Sequence, residues 1–441
     1  MRAPANFLLG ALAIAVGVLP AGCDWRDFDT LQNQTPVRAI DPPSGLPSSN
    51  DFASVLLPVT PPVDGSSAAW FLTSATETTG LALVKLDASG GSSGLTLTGS
   101  VLDDLAPNPI TAMAEIPGTG TGTALLGAPT ASRLLIVELE SQTVSQFVPS
   151  STLTATDSLL GVGVAVGNLT GGAAPDLVAA SSSLVHVFVD GSTTDIAPGA
   201  ADLASCPIAL SSKLPDQDRA NRALVVGNLL ASGPAIAIGT PGAAAPGSVS
   251  FFTATASAVT CAGVLAAPAL TSPPATANGG FGQTLAIGDF DGDGVADLLV
   301  GAPPYNVYLY KGPIAPGAAP TATIPAPLGS AQFGWALAAM NVDGKPGDEA
   351  LVGDPGATLD GQTGAGNVTI YTGPKLATMA SPAPVLTAHD ASTGQAYGSA
   401  VGALPFCASA PCAAPPRLPL VGAPAKAFVY FTLGLTDPRT M

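Results

Sequence analysis

The chain has 441 residues, enough for one large domain or for two or three ordinary ones. Only 10% of residues are charged, well below an ordinary soluble domain, and 51 Gly with 43 Pro interrupt it too often for long helices. A net charge of −17 argues against nucleic acid or an anionic membrane surface as partner, and the apolar residues fall in short runs that suit strands rather than membrane spans.

Arg2 precedes an apolar stretch from Phe7 to Leu19, too short to span a bilayer but suited to the core of a signal peptide. Leu19-Pro20-Ala21-Gly22-Cys23 follows and resembles the lipobox at which bacterial lipoproteins are cleaved and acylated. Pro20 stands where that motif prefers leucine, so an ordinary signal peptide with a nearby cysteine is the competing reading. The resemblance implies a signal peptide over 1–22, lipidation at Cys23, and a place outside the cytoplasm on a bacterial membrane, periplasmic or at the cell surface. Without Cys23, four cysteines remain (Cys206, Cys261, Cys407 and Cys412), an even number that fits an oxidising compartment. Residues 23–50 are rich in Asp, Pro, Gln and Ser and read as a flexible tether. The folded body is expected over 51–435, with a tail at 436–441.

Within that body a theme recurs: an apolar strand, a polar or Gly-rich turn, then a second strand ending in Gly-Ala-Pro or a relative. The first segment, Val55 to Leu86, has strands without a clear signature. Gly90-Gly91-Ser92-Ser93-Gly94 matches a nucleophile elbow in letters only, because an alternating strand follows it where a helix is needed; it reads as a hairpin turn. Leu125-Leu126-Gly127-Ala128-Pro129 precedes a strand at Leu134 to Val137. Gly167-Asn168 and Asp176 to Ala180 form the next copy, with His186 in the strand after it. Val226-Gly227-Asn228 and Ile236 to Pro241 form another.

The fullest copy runs from Phe281-Gly282 through Asp289-Phe290-Asp291-Gly292-Asp293-Gly294-Val295-Ala296-Asp297 to Gly301-Ala302-Pro303. Two more open at Phe333-Gly334 and Tyr397-Gly398 and close at Gly353-Asp354-Pro355 and Gly422-Ala423-Pro424. Seven units at a spacing of roughly 50–60 residues mark a propeller or another repeat array. Each unit is a small sheet that cannot bury both faces alone, so stacking around an axis must make the core. The expected fold class is all-β, with about four strands per sheet and almost no helix.

Phe-Gly at the start, an aspartate loop, and Gly-Ala-Pro at the end of a strand pair resemble the FG-GAP repeat. That resemblance implies a seven-bladed β-propeller like that of integrin α-subunits and many exported bacterial proteins. Asp289, Asp291, Asp293 and Asp297 alternate along their loop, and carboxylates so spaced can converge on one hard cation such as Ca²⁺. Without a cation they repel one another, although a solvated acidic turn remains the alternative. An EF-hand would need a bidentate Glu at the position of Val300 and a helix after the loop. The resemblance adds the Val295 carbonyl to the four carboxylates as a calcium ligand.

The equivalent loop in the next unit keeps Asn341, Asp343 and Glu349 but carries Lys345 in place of the third carboxylate, so no calcium is expected there. Asn168, Thr170 and Asp176 preserve too few charges, and that loop too reads as metal-free. In the last unit Cys407 and Cys412 are close enough in sequence to close a small ring, which leaves Cys206 and Cys261 to pair with each other.

Catalytic residues are not expected. His186 and His389 are the only histidines, and no zinc spacing or phosphate-binding loop occurs. The chain is expected to be a monomer, and the family resemblance implies a binding or adhesion module for a protein or glycan partner, presented on the face opposite the calcium loops. Ca²⁺ is the one cofactor, and membrane contact runs through the N-terminal lipid only. Two readings compete: a hydrolytic enzyme on a propeller scaffold, and a structural envelope protein without a soluble ligand.

Overall fold

A computed structural model of the chain describes residues 37–430, except 45, 47–51, 61–68, 76–79, 88, 90, 107, 119–121, 148–158, 182–183, 192–222, 243–245, 269–279, 342–345, 372–384, 387–391 and 407–416. Strand β1 (Val37–Ile40) opens it. Blade 1 is β2 (Val55–Val59), β3 (Ala69–Ala75), β4 (Gly80–Leu86) and β5 (Ser92–Thr96). Blade 2 is β6 (Ala112–Ile116), β7 (Thr123–Ala128), β8 (Arg133–Glu138) and β9 (Thr143–Phe147). Blade 3 shows β10 (Gly163–Gly167), β11 (Asp176–Ala180) and β12 (Val185–Phe188). Blade 4 is β13 (Leu224–Leu230), β14 (Gly233–Thr240), β15 (Ser248–Thr255) and β16 (Ala258–Ala266). Blade 5 is β17 (Thr284–Gly288), β18 (Asp297–Ala302), β19 (Asn306–Tyr310) and β20 (Ala322–Pro325). Blade 6 is β21 (Ala336–Met340), β22 (Glu349–Asp354), β23 (Asn367–Tyr371) and β24 (Val385–Leu386). Blade 7 has β25 (Ala400–Pro405), β26 (Arg417–Ala423) and β27 (Lys426–Tyr430).

The second strand of a blade explains the packing. Asp297–Ala302 is buried along its whole length, as are Thr123–Ala128 and Glu349–Asp354. Such strands are covered on both faces, so they read as near-continuous apolar runs rather than as alternation. Successive residues serve opposite junctions, because side chains alternate along a strand. Leu298 and Val300 join a cluster with Ala237 and Phe251 of blade 4, whereas Leu299 packs with Ala350 and Val352 of blade 6. The described residues form seven apolar clusters, one at each junction between consecutive blades. The last joins Leu404 and Leu420 of blade 7 to Phe71 and Val84 of blade 1. That contact closes the ring.

All strand pairs within the seven sheets are antiparallel, and six of the sheets show four strands among the described residues. Helix is confined there to α1 (Ser100–Asp103) and two short 3₁₀ turns. The all-β, seven-bladed expectation holds.

One boundary is corrected. The tether expected over 23–50 does not extend to residue 50, because β1 pairs antiparallel with β27, Val37 opposite Tyr430 and Ile40 opposite Ala427. The front of the chain thus supplies the fourth strand of the last blade. Its sequence, Val-Arg-Ala-Ile, is too short to show periodicity, and only the partner strand makes it β. The propeller includes Val37–Ile40, ahead of residue 51.

The junctions also explain the repeat motif. The N–H of Gly282 donates to the Gly301 carbonyl of its own blade at 3.0 Å, and Gly334 and Gly398 do the same to Gly353 and Gly422. The turn so formed pushes its own carbonyl into the preceding blade. A Cβ on Gly239 would stand 1.8 Å from the Gly282 oxygen, and one on Gly422 would stand 2.1 Å from the Ala53 oxygen. The aromatic of the Phe-Gly pair is buried against the third strand: Phe281 meets Tyr308 edge-on at 5.5 Å, and Tyr397 meets Phe428 at 5.2 Å. Phe52-Ala53 occupies the same place in blade 1, with Ala53 at φ 66, in the left-handed region usually left to glycine.

Two outcomes test this account. Gly239→Ala adds a methyl where a carbonyl already sits and should lower stability by about 1–3 kcal/mol, measured by denaturant melting. A chain starting at residue 51 should melt lower than one starting at residue 24 and should associate through the bared edge of β27; identical melts would remove β1 from the fold's stability.

Candidate metal centre

The loop between β17 and β18 turns tightly because Gly292 (φ 78) and Gly294 (φ 83) take the left-handed conformation. Asp289 organises it. Its Oδ1 accepts from the N–H groups of Gly292 at 2.8 Å and Asp293 at 3.0 Å, and its Oδ2 accepts from Gly294 at 2.9 Å. Asp291 Oδ1 accepts from the Asp293 N–H at 3.2 Å. Asp297, fully buried at the head of β18, accepts from Phe290 N–H at 2.9 Å and from Gly312 N–H at 2.8 Å.

This arrangement brings together carboxylate oxygens of Asp289, Asp291 and Asp297, all within 4.8 Å of one another, and the group can hold a metal ion. Asp293 stands outside it and turns its Oδ1 to the Val295 N–H at 2.8 Å. Three of the four expected carboxylates therefore converge, and the Val295 backbone is fixed through the fourth. An all-oxygen donor set of this kind fits a hard cation such as Ca²⁺.

The charges respond to this crowding. Burial pushes the Asp297 carboxyl up to about 6, and the charges of Asp291 and Asp293 add to the effect. Asp291 is held below its usual range chiefly by a contact absent from the sequence reading: Lys311 Nζ lies 2.7 Å from its Oδ2. Lys311 follows β19, far along the chain from the loop, and no spacing rule connects the two.

A second unforeseen residue comes from the next blade. Asp348 Oδ2 accepts the Asp289 N–H at 2.9 Å, and the Asp348 N–H donates to the Asp289 carbonyl at 2.6 Å. A Cβ on Gly292 would stand 3.0 Å from the Pro346 carbonyl carbon. The loop is clamped between its own blade and its neighbour.

The other loops differ. In blade 3 the fully buried Asp176 accepts from the N–H groups of Leu169 at 2.8 Å, Thr170 at 2.9 Å and Asp190 at 2.9 Å. Thr170 Oγ1 adds a further bond at 3.1 Å. Asp176 holds the place of Asp297 with three backbone donors and one threonine hydroxyl. In blade 6, Glu349 is buried at the head of β22, and Asn341 Nδ2 donates to the Gly347 carbonyl at 3.2 Å. Asp343 and Lys345 lie outside the described residues.

So do Cys23, Cys206, Cys407, Cys412 and His389. Cys261, on β16, is disulfide-bonded. His186 is buried and stacks on Phe188 with ring centroids 6.4 Å apart, as a blade-packing role requires. Ser92 of the Gly/Ser segment opens β5, paired with Leu86, and Asp87 caps that hairpin by accepting from Ser89 and Gly91 N–H groups.

The raised Asp297 carboxyl gives a signed pH dependence. Its proton is held more tightly in the folded than in the unfolded chain. The stabilisation is complete below the ordinary value of 3.8 and is lost as pH rises through about 6. In chelator, wild-type protein should lose more stability between pH 4 and 6.5 than Asp297→Asn, as read by thermal melts across that range.

Comparison with known proteins agrees with this architecture. The FG-GAP repeat model matches residues 281–313, the stretch that holds the carboxylate loop and Lys311. The chain is 34% identical over 110 residues to human phosphatidylinositol-glycan-specific phospholipase D, covering 22% of this chain and 13% of that protein. It is 37% identical over 121 residues to human integrin alpha-7, covering 24% of this chain and 9% of that protein. The chain thus spans only about a tenth of the length of either relative. With its seven closed blades and the matched repeat, the chain is an integrin-α-like FG-GAP β-propeller.

Proposed function

We propose that this chain is an exported, lipid-anchored propeller that serves as a calcium-stabilised binding or adhesion module for a protein or glycan partner. The observation that carries the reading is the convergence of Asp289, Asp291 and Asp297 inside the matched repeat. Calcium there would take oxygens from these three carboxylates, with Asp293 and the Val295 carbonyl completing the shell. When bound, the ion supplies charge neutralisation and holds the turn; the chain's own residues do the rest. Asp289 gathers three backbone N–H groups, Asp297 ties the loop to the turn after β19, and Asp348 ties it to blade 6. The unfolded chain offers no such convergence, so binding favours the native state, by about 2.7 kcal/mol at a hundredfold excess over Kd.

The likeness to integrin alpha-7 supports the binding reading, and the opposite end of the blades is the surface we assign to the partner. There the β18–β19 hairpin exposes Tyr305, and Leu328 stands exposed beside it, with the Ala326 N–H bonded to the Tyr305 carbonyl at 2.8 Å. The leader and Cys23 carry the anchoring part of the reading. Among the described residues no helix is long and apolar enough to cross a membrane. In an oxidising compartment Cys261 pairs with Cys206, and Cys407 with Cys412.

Calcium should raise the melting temperature and a chelator should lower it, whereas Asp291→Ala should largely abolish that sensitivity. Magnesium should substitute poorly, because it demands a tighter octahedron. Calcium-loaded protein should retain a component of envelope or extracellular fractions, and Leu328→Glu should reduce that retention without moving the melt. Equal melts in calcium and chelator would remove the metal from the proposal, and retention unchanged by Leu328→Glu would remove this face.

A further inference from the structure

Lys311 is the one basic side chain that the structure brings onto the carboxylate cluster among the described residues. Its place is set by backbone. The N–H of the next residue, Gly312, donates to Asp297 Oδ1 at 2.8 Å, and its own N–H donates to Thr321 Oγ1 at 3.3 Å. A Cβ on Gly312 would stand 2.2 Å from the Ala296 carbonyl oxygen, so glycine alone lets this turn lie flat against the metal loop. The ammonium then reaches Asp291 Oδ2 at 2.7 Å, and Asp291 is one of the three converging carboxylates.

We propose that Lys311 is a tethered counter-cation that competes with calcium for Asp291 and thereby sets the affinity of the site. The inference rests on the calcium reading and deepens it. The physical case is charge balance. An empty cluster of three carboxylates and a neighbouring fourth is unfavourable, and a single ammonium bonded to Asp291 relieves part of it. A divalent ion entering the same cluster meets that ammonium at close range and must displace it or share its partner. Displacement is open to Lys311, because its side chain is 36% exposed and its four-carbon stem can swing to water. The ion-free loop is therefore self-supporting, and calcium binds more weakly than the carboxylates alone would allow. A repulsion of this size across about 5 Å of water-like medium changes affinity roughly tenfold.

Two variants and one ion test this. Calcium binding is titrated calorimetrically, and thermal melts are recorded in chelator and in saturating calcium, for wild type, Lys311→Met and Lys311→Arg. Lys311→Met should bind calcium about tenfold more tightly than wild type, melt lower in chelator, and recover to at least the wild-type melt in calcium. Lys311→Arg keeps the charge and should stay near wild type in all three. A side chain that merely packs would lower both melts of the Met variant and leave affinity unchanged. Wild-type binding with an unchanged affinity in Lys311→Met overturns the competition and leaves the calcium reading standing. No calcium heat in any of the three proteins overturns both. Heat in Lys311→Met alone supports the competition in its strongest form, with the ammonium excluding the ion from the native loop.

Discussion

Among the described residues, five of the seven blade junctions set a glycine α-carbon against a carbonyl of the next blade, at positions where a Cβ would stand 1.8–2.6 Å from that oxygen. The pairs are Gly127 with Gly161, Gly239 with Gly282, Gly301 with Gly334, Gly353 with Gly398, and Gly422 with Ala53. This backbone approach fixes how closely consecutive sheets stack. The apolar clusters, the aromatic contacts of Phe281 and Tyr397 and the reach of one loop to the next all assume that spacing. The first junction solves the same problem with a polar side chain: Ser74 Oγ donates to the Ile110 carbonyl at 2.6 Å. Because the last pair joins blade 7 to blade 1, the constraint is cyclic, and β1 reinforces it by pairing with β27.

At the other end of the blades, the acidic residue that heads the second strand is a structural hub. Asp176 shows this plainly, since it gathers three N–H groups and a threonine hydroxyl in a loop that lacks the other carboxylates. Asp297 receives the equivalent bonds from Phe290 and Gly312. What blade 5 adds is Asp289 and Asp291, brought round by two left-handed glycines. The same buried position anchors a hydrogen-bonded turn in one blade and a cluster of three carboxylates in another.

The cluster is also not a property of blade 5 alone. Asp348 makes a reciprocal pair of hydrogen bonds with the Asp289 backbone, so the loop is held by two sheets at once. Any ion that rigidifies the loop rigidifies the junction beneath it. Blade spacing and loop geometry are thereby linked: the glycine contacts at one end of blades 5 and 6 set the distance that the aspartate pair spans at the other.

Much of this was legible in the residues. The recurrence of strand–turn–strand units, clearest in the Phe-Gly and Gly-Ala-Pro pairs of the last three, carried the blade count, and the alternation of Asp289, Asp291, Asp293 and Asp297 marked the loop, because both signals are local in sequence. Position 53 escaped notice because alanine stands where the turn needs a left-handed residue. β1 escaped because a four-residue strand takes its identity from β27, at the far end of the chain. Lys311 and Asp348 reach the cluster only through the fold, one across its own sheet and one from the neighbouring blade. Sequence thus determined what repeats and which groups carry charge, since those depend on bonded neighbours. Tertiary structure decided which carboxylates converge and which ammonium opposes them, since those distances exist only once the ring has closed.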